Sequence, residues 1–128
     1  MKIEHLAIWV NNLEAVKSFY EKYFQARAGM KYVNTAKKFE SYFLTFDEGA
    51  RLELMHMPGI QSRDDSHQLF IGISHFAIST GSTEKVDNLT EQLRLDGYEI
   101  IGEPRTTGDG YYESVVLDPE GNSVEITV

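Results

Sequence analysis

The chain has 128 residues and a formal net charge of −8, with 41% hydrophobic and 25% charged residues. This composition is typical of one globular domain, and the negative charge argues against nucleic acid or an anionic membrane as the partner. The sequence contains no cysteine, which excludes disulfides, thiolate metal sites and thiol nucleophiles. No apolar run reaches membrane-spanning length and no signal-peptide pattern is present, so a cytoplasmic protein is expected.

The first half of the chain reads as a strand, a helix and further strands. Residues 2–10 are rich in β-formers and alternate in polarity, which predicts a strand. Asn11 or Asn12 is suited to cap the helix that follows. Strands are predicted at 39–46 and 51–57. The predicted helix carries apolar residues on one face, namely Leu13, Val16, Phe19, Tyr20, Tyr23 and Phe24.

The second half predicts the same order of elements. A strand at 72–80 precedes a helix that Ser82 caps and Gly97 ends. Further strands are predicted near 98–101, 111–117 and 123–128. Residues 118–121, Asp-Pro-Glu-Gly, form a tight-turn signature between the last two strands. The helix places its apolar residues on one face, namely Val86, Leu89, Leu93 and, at its end, Leu95.

The two halves are copies of each other. Residues 5–16 align with 75–86 without a gap, residues 39–41 (Phe-Glu-Ser) align with 112–114 (Tyr-Glu-Ser), and Glu53 aligns with Glu125. The offset stays between 70 and 73. An ordered series of matches at a nearly fixed period is the signature of an internal repeat. We therefore predict one α+β domain of two modules, 1–57 and 71–128, joined by a polar linker at 58–70.

One histidine and one glutamate recur at matching places in each copy. Because side chains alternate across a strand, His5 lies opposite Leu6 and Glu53 lies opposite Leu52 and Leu54. His75 and Glu125 follow the same rule in the second copy. Singly, such residues are usually packing or surface groups, but their recurrence on the open face favours a role as ligands. Two imidazoles and two carboxylates suit one divalent ion: Zn²⁺, Ni²⁺, Co²⁺, Mn²⁺ or Fe²⁺.

These residues resemble the vicinal oxygen chelate superfamily, which includes glyoxalase I, acyl-CoA epimerases, extradiol dioxygenases and drug-resistance proteins. The strand histidine, the glutamate that ends each copy and the Asp-Pro-Glu-Gly turn before Val-Glu-Ile carry the resemblance, which covers nearly the whole chain. It implies two tandem βαβββ modules whose curved mixed sheet surrounds a metal cleft, with the helices on the outer face.

The ligand order is most similar to that of glyoxalase I (lactoylglutathione lyase). This resemblance implies that His5, Glu53, His75 and Glu125 bind the metal. It also implies that Glu125, with Glu53, moves a proton between adjacent carbons of a hemithioacetal. Small bacterial enzymes of this type carry an arginine and an asparagine where this chain has Trp9 and Met57. The resemblance therefore leaves open whether glutathione or another thiol is used.

Several further side chains are candidates for substrate binding. Residues 105–111 read either as a loop that closes over the substrate, with Arg105 binding an anionic group, or as a solvated hairpin connection. Trp9 and Phe43 are candidates to line an apolar pocket, and Tyr111 either packs on the sheet or contacts the substrate. His56 and His67 are expected to point to solvent.

Four functions remain open at this point. The leading hypothesis is a metal-dependent lyase or isomerase of glyoxalase type acting on a small molecule, and a homodimer is expected. An acyl-thioester epimerase shares the proton chemistry. A ring-cleaving dioxygenase uses two histidines and one carboxylate, so a fourth ligand at Glu53 counts against it. A non-catalytic drug-binding protein requires no metal ligands.

Overall fold

The computed structural model describes residues 1–61 and 71–128, and the chain divides into two compact units, 1–64 and 65–128. The first unit contains β1 (His5–Trp9), α1 (Leu13–Phe24), β2 (Arg27–Ala28), β3 (Tyr32–Asn34), β4 (Phe39–Thr45) and β5 (Arg51–His56). The second contains β6 (Phe76–Ser79), α2 (Thr83–Leu95), β7 (Ile100–Thr106), β8 (Tyr112–Leu117) and β9 (Ser123–Thr127). The predicted α+β class with two βαβββ modules is confirmed. Most of the predicted linker lies outside the described residues, as does His67.

Each unit has one mixed sheet in which its first and last strands are neighbours. The strand order is β1-β5-β4-β2 in the first unit, with β3 also on β4, and β6-β9-β8-β7 in the second. β1 pairs with β5 in parallel, and β6 pairs with β9 in parallel. The other pairs are antiparallel. The registers correspond, because Ala7 pairs with Glu53 in one sheet and Ala77 pairs with Glu125 in the other.

Helix α1 covers one face of the first sheet with an aromatic stripe. All six residues predicted for its apolar face are buried. Asn12 caps the helix, because its side-chain Oδ1 accepts a hydrogen bond from the amide of Ala15 at 3.0 Å. The buried strand residues beneath it include Leu44, Leu52 and Leu54. The helical periodicity of the sequence therefore locates the core of this unit correctly.

Helix α2 covers the second sheet with smaller side chains. Its buried residues are Val86, Thr90 and Leu93, and Ser82 caps it as predicted. The prediction for Leu95 was wrong, since its side chain is 78% exposed. Leu95 follows the buried Leu93 by two positions, which is about 200° around a helix, so the two side chains point in opposite directions.

The strand bounds correct three expectations. β6 starts at Phe76, so His75 lies just before the strand rather than inside it. β7 starts at Ile100 because Gly97, with a φ of +89°, ends α2 and the amide of Tyr98 still bonds to the carbonyl of Leu93. β7 also runs on to Thr106, so Arg105 belongs to a strand and not to a loop. None of the helices in the described parts is long and apolar enough to cross a membrane.

Candidate metal centre

Each unit brings one predicted histidine beside one predicted glutamate. Glu53 stands between the buried Leu52 and Leu54, and Glu125 stands between the buried Val124 and Ile126, so both carboxylates lie on the sheet face opposite the helix. The Nε2 atom of His5 lies 3.8 Å from Oε2 of Glu53. The Nε2 atom of His75 lies 3.2 Å from Oε2 of Glu125.

The spacing within each pair is close to that of neighbouring ligands on a metal ion. Metal–ligand bonds of about 2.1 Å at tetrahedral or octahedral angles place adjacent donor atoms roughly 3.0–3.5 Å apart. The second pair falls within that range and the first lies slightly above it. Imidazole nitrogen and carboxylate oxygen are also the donors that Zn²⁺ and its neighbours in the first transition row accept. Each pair therefore offers two donors of the kind that bind a divalent ion.

The histidine of the first pair belongs to a closed cycle of contacts with three other side chains. Oε2 of Glu4 lies 2.5 Å from Nδ1 of His5, and Oε1 of Glu4 accepts hydrogen bonds from Arg51, including one from Nε at 2.8 Å. The Arg51 guanidinium lies 4.1 Å from the centre of the Phe43 ring, and that ring meets His5 edge-on at 5.3 Å. The hydrogen bonds from His5 and Arg51 hold the pKa of Glu4 below its usual value.

The second pair has a different neighbour, the carboxyl group of Glu113. Val115 pairs with Glu125 and Glu113 pairs with Thr127, so the two glutamates share a sheet face. Burial, followed by the nearby charge of Glu113, raises the pKa of Glu125 above its usual value, although His75 opposes the shift. A carboxyl group with a raised pKa is a stronger proton acceptor once ionised, which suits a proton-transfer role.

Glu113 is the site residue that the sequence reasoning missed. The repeat alignment matched it with Glu40 at an offset of 73, and Glu40 bonds to Lys31, which also reaches Glu14 of the covering helix α1. The strand ladders instead match Glu113 with Ser41, at an offset of 72. Ser41 pairs with Met55 and Glu113 pairs with Thr127, and these two partners are also 72 residues apart. A one-residue change of register moves a side chain to the other face of a sheet.

The remaining predicted substrate residues differ in their surroundings. Trp9 is 42% exposed and meets Phe39 edge-on at 6.1 Å. Phe43 lies against His5, as described. Arg105 pairs with Glu113, at 3.7 Å between Nη2 and Oε1. Tyr111 is exposed in the β7–β8 hairpin, where its amide donates to Oγ1 of Thr107 and its carbonyl accepts from the Thr107 amide.

His56 does not point to solvent as predicted. It shares the helix-side face of β5 with Leu52 and Leu54, it is half-buried, and its Nδ1 lies 3.0 Å from the carbonyl oxygen of Val10. The prediction for His56 was wrong because residues at the end of β5 are still covered by the chain between β1 and α1. Within residues 1–61 and 71–128, no group of three or more His, Asp or Glu side chains is assembled as a metal site.

Comparison with known proteins identifies the family. The model of the Glyoxalase/Bleomycin resistance protein/Dioxygenase superfamily matches residues 2–126. The uncharacterized protein YqjT of Bacillus subtilis is 24% identical over 127 residues, which cover 97% of this chain and 96% of YqjT.

Solved structures share the fold over almost the whole chain. A glyoxalase I mutant from Zea mays has a TM-score of 0.79 and 24% identity, covering 98% of this chain. The match covers 44% of the maize protein, so this chain spans less than half its length. The trypanothione-dependent glyoxalase I of Leishmania major has a TM-score of 0.79 and 22% identity, with 99% of this chain and 86% of that chain covered. The chain therefore belongs to the Glyoxalase/Bleomycin resistance protein/Dioxygenase superfamily.

Proposed function

We propose that this protein is a metal-dependent lyase or isomerase of glyoxalase type. The observation that carries the proposal is that each unit holds a histidine beside a glutamate, with the two glutamates at corresponding ladder positions of their sheets. Two donors alone hold a divalent ion weakly, whereas two imidazoles and two carboxylates form a complete set for Zn²⁺, Ni²⁺, Co²⁺, Mn²⁺ or Fe²⁺. We assign His5, Glu53, His75 and Glu125 as the ligands of one such ion.

The proposed reaction moves a proton between adjacent carbons of a small oxygenated substrate, such as a hemithioacetal. The ion, when bound, supplies Lewis-acid stabilisation of the negative charge that develops on the substrate oxygens. Glu125 accepts the proton from one carbon and returns it to the next, a role that its raised pKa favours. Glu53 is the second carboxylate that we assign to this proton transfer.

We infer the class of substrate from the aromatic and charged side chains that each unit offers. Aromatic surface is offered by Trp9, Phe43 and Tyr111. Arg105 offers a positive charge, which an anionic group of the substrate would bind in place of Glu113. Trp9 and Met57 replace the polar residues that small bacterial enzymes of this type use for glutathione. One solved relative is trypanothione-dependent. We therefore expect a thiol other than glutathione as the co-substrate.

The test is a metal titration followed by an activity assay. Metal-free protein is titrated with Zn²⁺, Ni²⁺, Co²⁺, Mn²⁺ and Fe²⁺, and the loaded protein is assayed with methylglyoxal and a panel of thiols. We expect one ion for each set of four ligands. Its affinity should fall in His5→Gln and in His75→Gln, while His56→Gln is the matched control with unchanged affinity. Light scattering of the same samples tests the expected homodimer.

Three outcomes would overturn the proposal. A chain that binds none of these ions would point to a non-catalytic binding protein. Oxygen uptake by the iron-loaded protein would point to a ring-cleaving dioxygenase. Full turnover by Glu125→Gln would remove the proton-transfer role from that residue.

A further inference from the structure

The carboxylate of Glu4 and the guanidinium of Arg51 form an arrangement around His5 that the proposed chemistry does not use. Glu4 lies immediately before β1, and Arg51 pairs with His5 across the β1–β5 ladder. Glu4 contacts the histidine ring at Nδ1, and the Phe43 ring packs against it nearly at a right angle. Arg51 contacts both Glu4 and Phe43. The Nε2 atom, on the other side of the ring, lies 3.8 Å from Oε2 of Glu53.

The chemistry of imidazole gives this arrangement a consequence. A neutral ring carries one proton, on either Nδ1 or Nε2, and the nitrogen without the proton is the one able to bind a metal. A carboxylate that accepts a hydrogen bond from Nδ1–H fixes the proton there and leaves the lone pair on Nε2. Oε2 of Glu4, at 2.5 Å from Nδ1, is placed for that role.

Arg51 and Phe43 restrict the movement of the same group. Arg51 donates to the other oxygen of Glu4, so both carboxylate oxygens are engaged. Its guanidinium also stacks on Phe43, which packs edge-on against His5. A carboxylate held from both sides loses less freedom when it orients the ring than one on an unrestrained side chain.

The second unit has no counterpart of this arrangement among the residue types at the matching positions. Ser74 stands where the first unit has Glu4, Ser123 where it has Arg51, and Val115 where it has Phe43. None of these side chains carries a charge or an aromatic ring. The two histidines therefore match in the sequence repeat and differ in the residue types around them.

We propose that Glu4, held by Arg51, is a positioning residue that fixes the tautomer of His5 with its proton on Nδ1 and its lone pair on Nε2. This inference rests on the proposed metal site for its functional meaning. The orientation of His5 is nevertheless a property of the metal-free chain and is measurable without a metal. Outer partners of this kind typically change metal affinity by about 10–100-fold when removed.

The first measurement is the ring ¹⁵N spectrum of the metal-free protein, at a pH where the imidazole is neutral. Loss of signals in His5→Gln assigns His5. We expect its proton on Nδ1 in the wild-type chain, a shift towards Nε2–H in Glu4→Ala, and recovery in Glu4→Gln, whose amide oxygen still accepts from Nδ1–H. An unchanged tautomer in Glu4→Ala would overturn the proposal. A merely structural role for Glu4 would leave the proton of His5 on Nδ1 in Glu4→Ala.

The second measurement is Zn²⁺ affinity by competition with a chromophoric chelator. Glu4→Ala is expected to bind 10–100-fold more weakly than wild type. Ser74→Ala, at the matching position, and Glu48→Gln, which removes one exposed carboxylate from the same unit, are the controls with unchanged affinity. Wild-type affinity in Glu4→Ala would contradict the positioning role. If the wild-type chain bound no metal, the proposed function would fail, whereas the tautomer comparison would still decide the role of Glu4.

Discussion

A buried pair of hydroxyl groups fastens α2 to β8, and its removal gives a stability change that the structure allows to be worked out. Oγ1 of Thr90 lies 2.7 Å from the carbonyl oxygen of Val86 and 2.6 Å from Oγ of Ser114. Thr90 is 1% exposed and Ser114 is fully buried. Because Thr90 has one hydroxyl proton and gives it to the Val86 carbonyl, Ser114 must donate to Thr90.

The two single substitutions are therefore unequal. Ser114→Ala removes one hydrogen bond and leaves Thr90 with its bond to Val86, so the free energy of unfolding falls by about 1 kcal/mol. Thr90→Val removes the oxygen that accepts from Ser114 within the described residues and leaves a buried hydroxyl without that partner, which costs about 2–3 kcal/mol. The double variant leaves no hydroxyl at either position. We expect it to lose about 2 kcal/mol, which is less than the sum of the single losses.

Urea unfolding by far-UV circular dichroism measures these energies, and the slope with urea must stay constant for the comparison to hold. The single tryptophan, Trp9, lies in the first unit, so its fluorescence shows whether that unit unfolds together with the second. The expected coupling energy is about 1–2 kcal/mol. Strictly additive losses, or a Ser114→Ala variant weaker than Thr90→Val, would refute the assignment of donor and acceptor.

Three further outcomes are expected. The pKa of Glu125 is raised above 4.5 by burial and by Glu113, so ionisation of Glu125 lowers stability as the pH rises from 4.5 through the raised value. Glu125→Gln should then stabilise the metal-free protein at pH values above this range and not at pH values below it. Equal urea midpoints for the variant and the wild type at pH 8 would contradict this. Zn²⁺ at 100 times its dissociation constant should raise the free energy of unfolding by about 2.7 kcal/mol, and chelation should reverse the gain; a melting temperature independent of Zn²⁺ concentration would argue against binding to the folded state. Asn12→Ala and Ser82→Ala should each cost about 1 kcal/mol, and the corresponding glycine variants only a few tenths, in urea unfolding.

The parts of the fold that could be predicted are those fixed by local periodicity. The buried stripe of α1 and the caps at Asn12 and Ser82 follow from helical spacing and from side chains that satisfy free amides. Strand alternation placed Glu53 and Glu125 on the open face, because each stands between two buried residues. These are contacts between residues close in sequence, so the pattern alone determines them.

The elements that escaped prediction depend on distant partners. β2 and β3 have two and three residues, too few to show an alternating pattern, and both exist because they pair with β4. β7 contains Pro104 and an irregular register between Gly102 and Arg105. Proline and glycine normally argue against a strand, and here they coincide with the irregularity.

The sequence contains a signal from which the position of Glu113 beside Glu125 could have been predicted. The turn at 118–122 pairs Leu117 with Ser123, and counting outwards from it pairs Val115 with Glu125 and Glu113 with Thr127. The repeat alignment predicts a different relation, because it matches Phe-Glu-Ser at 39–41 with Tyr-Glu-Ser at 112–114. Where two signals disagree on register, the turn is the better guide, since it fixes which residues face each other across the hairpin.

The parallel pairing of the first and last strands also bears on when each His–Glu pair comes into existence. His5 pairs with Arg51, and Phe76 pairs with Val124, so each ladder joins positions more than 40 residues apart. Such distant closures are slow, because the loop entropy is lost before the contacts form. During synthesis the histidine of each copy emerges long before its glutamate partner. Neither pair is complete until the last strand of its copy has been made, so we expect the proposed metal ion to bind after each copy has folded.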